Sequence, residues 1–133
     1  MFDELSFVRV LAFAVFYAGI EYRYVNRYEK EWTKDAEGFA EKPVFWVITP
    51  YHAFLLLPLF IIVSFSPSIT AWAANTFLLA VAEDMVYFLW RGRGVAKGDW
   101  TTTLFGSFEL GGIVIPVWWP LDIAVAVLLY WVP

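Results

Sequence analysis

Apolar residues in this chain fall in long blocks, and the Lys and Arg residues collect between those blocks. Residues 44–65 form a run of 22 in which His52 is the one ionisable side chain, and residues 70–90 form a second run broken by Glu83 and Asp84. About 20 helical residues cross the hydrocarbon core of a bilayer. Arg9 and Arg27 bracket an apolar stretch of matching length, which predicts a first span over residues 10–26. The last apolar stretch, residues 104–132, is too long for one upright span and contains Pro116 and Pro120. A kinked or tilted fourth helix over about residues 104–128 is expected there, with a broken or partly interfacial helix as the alternative. The pattern therefore predicts an all-α, polytopic integral membrane protein, a single four-helix transmembrane domain spanning residues 1–133.

Composition points the same way. Of the 133 residues, 61% are apolar and 21% aromatic, and 17% are charged against about 25% in soluble domains. A soluble core of this size could not hide so much apolar surface. The nine basic residues lie at Arg9, between the first two spans (Arg23, Arg27, Lys30, Lys34, Lys42), and between the third and fourth (Arg91, Arg93, Lys97). The positive-inside rule then puts both connecting loops in the cytoplasm and both termini outside the cell membrane. Near the N-terminus Asp3 and Glu4 stand where a signal peptide carries basic residues, and no small-residue cleavage site follows, so the first span is expected to remain as an anchor. Beyond it, Tyr24, Tyr28, Trp32 and Phe39 recur at helical spacing among Glu and Lys, predicting an interfacial helical extension.

Against this apolar background six ionisable residues stand out inside the predicted spans: Glu21, His52, Glu83, Asp84, Glu109 and Asp122. Each costs about 2.5 to 3.5 kcal/mol in hydrocarbon on insertion scales, so such residues face a bundle interior and carry function. Counted from the cytoplasmic edges of the helices, Glu21, His52, Glu83, Asp84 and Glu109 lie about 9 to 13 Å deep, in one layer. Asp122 falls near the outer surface and is left out. Around the layer, Pro50 and Pro58 bend helix two about His52, and Ala14-xxx-Ala18 and Ser107-xxx-Gly111 offer small faces for close packing.

Crowded carboxyl groups in low dielectric cannot all be ionised unless a cation joins them. Three resolutions follow. The acids pair with Arg23, Arg91 and Arg93; or Glu21, His52, Glu83, Asp84 and Glu109 bind a divalent metal, for which an oxygen-rich set with one His suits Mn, Fe, Zn or Mg; or a protonated acid serves as general acid. No cysteine is present, which excludes thiolate metal sites and thiol nucleophiles, and the Glu-x-x-His motif of ferritin-like di-iron bundles is missing. Nothing resembles a nucleic-acid-binding face. Glu83 and Asp84, followed by Tyr87 and Phe88, resemble over six residues the paired-acid motif of membrane carotene cyclases; a likeness of that length is not counted as membership.

Three function classes fit. The first is a membrane-embedded enzyme acting on an apolar, isoprenoid- or lipid-like substrate, with Glu83, Glu109 and His52 as catalytic groups and aromatic side chains lining the pocket. A proton- or cation-coupled transporter or channel, assembled as a homo-oligomer, is the second. The third is an accessory or assembly subunit without catalysis. The outer halves of the first three helices are nearly all apolar, which favours a one-sided site over a through-path. Tyr51, Tyr87 and Trp100 are secondary candidates.

Overall fold

The computed structural model describes residues 4–25 and 52–132, and their fold is predominantly helical. Helix α1 (Glu4–Ile20) winds directly into a π-helical turn, Glu21–Val25. A second π-helical turn, His52–Leu56, leads into α2 (Leu57–Val63). Pro58 explains this local winding: it has no N–H to give to the Phe54 carbonyl and its ring crowds that oxygen, so the regular ladder cannot close there. Ser68 accepts from the Ala71 amide and opens α3 (Ile69–Trp90), at 22 residues the longest of the described helices. A short helix α4 (Trp100–Thr103), a hairpin of β1 (Ser107–Leu110) and β2 (Ile113–Pro116), and helix α5 (Trp118–Trp131) complete the chain.

Helix α3 is the axis of the assembly, packed along both α1 and α5. It runs parallel to α1, with Ser6 meeting Asn75 and Val15 meeting Trp90, and antiparallel to α5, with Tyr130 meeting Asn75 and Trp119 meeting Asp84. Close approach is made by small residues: Ala14 and Ala18 on α1, Ala71 and Ala74 on α3 and Ala126 on α5 are all fully buried. The main apolar cluster joins Val10, Ala14, Tyr17, Leu56, Phe60 and Leu79, and a second joins Ala18, Tyr87 and Phe88.

Polar groups occupy the interior at both ends of this core. At one end Asn75, fully buried, donates to Ser6 Oγ (3.1 Å) and to the Ser64 carbonyl (3.2 Å) and accepts from the Tyr130 hydroxyl. Arg9 donates to the carbonyls of Val63 (2.8 Å) and Phe65, closing the C-terminal end of α2. The exterior is apolar, with Leu5, Phe16, Phe54, Ile62, Ile69, Leu89, Leu128 and Trp131 all exposed. Among the described residues one helix, Glu4–Tyr24, is long and apolar enough to cross a membrane by length and composition.

Two expectations need correction or placement. Residues 104–128 are not one kinked helix. Gly111 and Gly112 (φ 58° and 83°) make the two-residue turn of an antiparallel hairpin in which Ser107 pairs Pro116 and Leu110 pairs Ile113. Ser107-xxx-Gly111 is accordingly no helix face. Helix α5 begins only at Trp118 and its 14 residues rise about 21 Å, short of a bilayer core. The predicted interfacial extension beyond Tyr24, the first part of the second span, Pro50 and Tyr51 lie outside the described residues.

Candidate functional site

Both π-helical turns carry a residue of the expected acid layer, Glu21 at the start of one and His52 at the start of the other. A π turn widens the helix by one residue per hydrogen-bonded ring and shifts the side chains beyond it, a local device recurrent at functional sites. Here Glu21 is turned inward, 9% exposed, and its side chain lies against that of Glu83 on α3. Two neighbouring carboxyl groups in a buried setting repel when both are charged, so the arrangement favours one shared proton or a bound cation. Glu83 is 5% exposed, and its Oε1 is buried with no hydrogen-bond partner.

Asp84 follows Glu83 in sequence and points to a different neighbour, as a 100° step between consecutive helical residues requires. Its Oδ2 accepts from Thr101 Oγ1 (2.6 Å) on α4 and from the Trp119 indole N–H (2.8 Å) on α5. Its Oδ1 is buried and unpartnered. Trp118 fixes the same threonine from the other side, its indole N–H shared between the Thr101 carbonyl (3.1 Å) and hydroxyl (3.0 Å). Thr101 is fully buried, so Asp84 is held by donors that have little room to move away.

His52 stands at the edge of the group, its ring centroid 6.2 Å from that of Trp100, with Glu21 within electrostatic range. Glu21 reaches Asp84 electrostatically as well. Aromatic rings complete the surroundings: Tyr87, one turn after Glu83, meets the Tyr22 ring (6.3 Å, edge-on) and that of Phe88 (5.5 Å).

The loop between α3 and α4 is pinned by ion pairs outside this interior. Arg93 makes two hydrogen bonds to Asp99, at 2.7 and 2.8 Å, and the Ala96 amide donates to the same carboxylate at 2.7 Å. The Arg93 guanidinium holds the Asp99 carboxyl below its ordinary range. Arg91 sits 4.0 Å from Asp99 rather than beside Asp84.

The layer expected from sequence is thus assembled in part. Glu21, Glu83, Asp84 and His52 come from three helical segments to one end of the bundle. Glu109 does not join them: it sits on β1, half-exposed, 3.0 Å from Lys97, because strand geometry replaces the helix that would have turned it inward. Asp122, expected near the outer surface, instead sits partly buried on α5 one turn after Trp119, the donor to Asp84, and so toward the acid end of the bundle. Among the described residues no salt bridge joins Arg or Lys to Glu21, Glu83 or Asp84, so Arg23, Arg91 and Arg93 are not the ion-pair partners of these acids. Nor do three His, Cys, Asp or Glu side chains converge, among the described residues, as a divalent metal would require. Thr101, Trp118 and Trp119 are the site residues that sequence reasoning missed; the signal was the Trp-Trp pair opening the last apolar block, whose two indole donors need buried acceptors.

No protein-family model, curated protein or solved structure matches the chain.

Proposed function

We propose that this chain is a multi-span membrane protein in which the Glu21–Glu83 pair acts as a general acid toward an apolar, isoprenoid- or lipid-like substrate. The observation that carries the reading is the side-by-side placement of two buried carboxyl groups with no Lys or Arg partner among the described residues. Such a pair holds a proton in an apolar setting, and burial is how enzymes keep a carboxyl group ready to donate at neutral pH. Glu83 Oε1 and Asp84 Oδ1 are buried without hydrogen-bond partners, so each has acceptor capacity left unused. The rings of Tyr22, Tyr87 and Phe88 would stabilise positive charge developing on a protonated hydrocarbon.

Membrane placement is supported by the apolar exterior around a partly polar interior, an inversion of the soluble pattern. In that placement the hairpin, whose open edges need water, lies outside the hydrocarbon, and the acid end of the bundle faces the cytoplasm with Arg91, Arg93 and Lys97. The transporter reading is disfavoured by the apolar plug of Val10, Phe60 and Leu79, which separates Asn75 and its partners from the acids. The metal-assisted variant of the chemistry has less support than the acid one, since Glu109 is engaged elsewhere.

The test is to incubate detergent-solubilised protein with a panel of polyisoprenoids and acyl lipids and follow products by mass spectrometry. A product formed by the wild type and lost in Glu83→Gln, with the variant's fold intact, is expected. A wild type that leaves every lipid unchanged would sink the proposal.

A further inference from the structure

Along the outer face of α1 runs an open apolar groove of about 840 Å³, within the range of about 300 to 1,000 Å³ typical of small-molecule sites. Its walls are Leu11, Val15, Phe16 and Ile20, and it ends at Tyr24. The side wall is Trp90, whose indole N–H donates to the Val15 carbonyl (3.1 Å) and so holds the ring flat along α1. Gly19 makes this possible: a Cβ there would meet the indole at 3.1 Å. The groove is therefore pre-formed. From Leu11 to Tyr24 it is about 20 Å long at the helical rise, enough to follow an acyl chain through one leaflet of a core about 30 Å thick.

Among the described residues one ionic side chain lines it. Arg23 stands exposed at the Tyr24 end, and among the described residues no carboxylate lies in salt-bridge range of it. A cation at the mouth of a hydrocarbon-lined groove, flanked by the exposed rings of Tyr22 and Tyr24, complements a molecule with one anionic head and one long apolar tail. From this juxtaposition we infer that the α1–Trp90 groove binds one anionic phospholipid of the cytoplasmic leaflet, an acyl chain against Val15, Phe16 and Trp90 and the phosphate on Arg23. The inference rests on the membrane placement proposed above but not on the acid chemistry. The site is separate from the Glu21–Glu83 pair, which faces the opposite, α3-packed side of α1.

The experiment is native mass spectrometry of the full chain, purified and delipidated in detergent, titrated with phosphatidylglycerol or phosphatidylcholine of identical acyl chains. One phosphatidylglycerol per chain is expected, preferred by about fivefold, the effect of one basic side chain at an anionic surface. Arg23→Gln removes the preference while leaving weak binding of both lipids. Ala12→Trp, which fills the groove from its open side, abolishes binding of both; Leu5→Trp, equally bulky on an exposed position outside the groove, changes nothing. Equal binding of the two lipids by the wild type, or an unaltered preference in Arg23→Gln, or unaltered binding in Ala12→Trp, would each overturn the assignment. Wild-type chain that stays monodisperse in buffer without detergent would overturn the membrane placement as well, and so is told apart from failure of this site alone.

Discussion

The hydroxyl of Thr101 donates to Asp84 Oδ2 at 2.6 Å, tying the segment after α3 back onto the helix that carries both buried acids. Because the Trp119 indole donates to the same oxygen, α3, α4 and α5 meet at a single carboxyl atom. Thr101→Val keeps the shape and deletes the donor, and should destabilise by about 1 to 3 kcal/mol, the cost of leaving a buried polar atom short of a partner. Thr101→Ser should recover most of that loss. Thermal unfolding in detergent reads both, and combining Thr101→Val with Trp119→Phe should cost a different amount from the sum of the two, since both donors serve one acceptor.

Glu21 and Glu83 should behave as a unit. Glu21→Gln and Glu83→Gln each retain a hydrogen-bonding side chain of the same size, and each should cost no more than about 1 kcal/mol of stability. Alanine at either position leaves the other carboxyl buried without a partner and should cost about 1 to 3 kcal/mol. Double-mutant cycles on the four variants check the coupling; strict additivity would mean that the two groups do not share a hydrogen bond.

At the opposite end Asn75 makes three hydrogen bonds to three different segments. Interhelical bonds of this kind average about 0.6 kcal/mol in membrane bundles, so Asn75→Ala should destabilise by about 2 kcal/mol. Asn75 lies beyond the apolar plug from the acids, so the substitution should lower the melting temperature without altering the proposed lipid turnover per folded molecule. A selective loss of turnover would connect the two polar ends and revive the transporter reading.

Acidification should loosen the segment between α3 and α4. The Arg93 guanidinium holds the Asp99 carboxyl below its ordinary range, so the contribution of this contact is complete above the usual carboxylate pKa and is lost as pH falls through the lowered value. Hydrogen exchange at the Ala96 amide, which donates to Asp99, should therefore speed up once the pH drops below that range, relative to the intrinsic rate. In Arg93→Gln the transition should move upward toward the ordinary carboxylate pKa. An Ala96 amide whose protection is indifferent to pH would mean that the ion pair does not organise this segment.

The sequence by itself determined the helical character of α1, α2, α3 and α5 and the burial of Glu21, Glu83 and Asp84. Long apolar blocks favour helix, and acids within a helical block are turned inward, as Glu21, Glu83 and Asp84 are. The Ala14-xxx-Ala18 face was legible for the same local reason. The hairpin was legible too, in the Gly111–Gly112 pair between two short β-prone runs, but apolar continuity outweighed that turn signal and Glu109 was drawn into the layer with it. Only the tertiary structure decided which acids meet. The Glu21–Glu83 contact and the donors of Asp84 join residues remote in sequence, and they depend on how α1, α3 and α5 are rotated about their axes. That rotation is set by the summed packing of small residues along each interface and by the π turn at Glu21, and a one-residue change in winding would swing a side chain by about 100°. Burial follows from local composition, whereas pairing is a property of the packed whole.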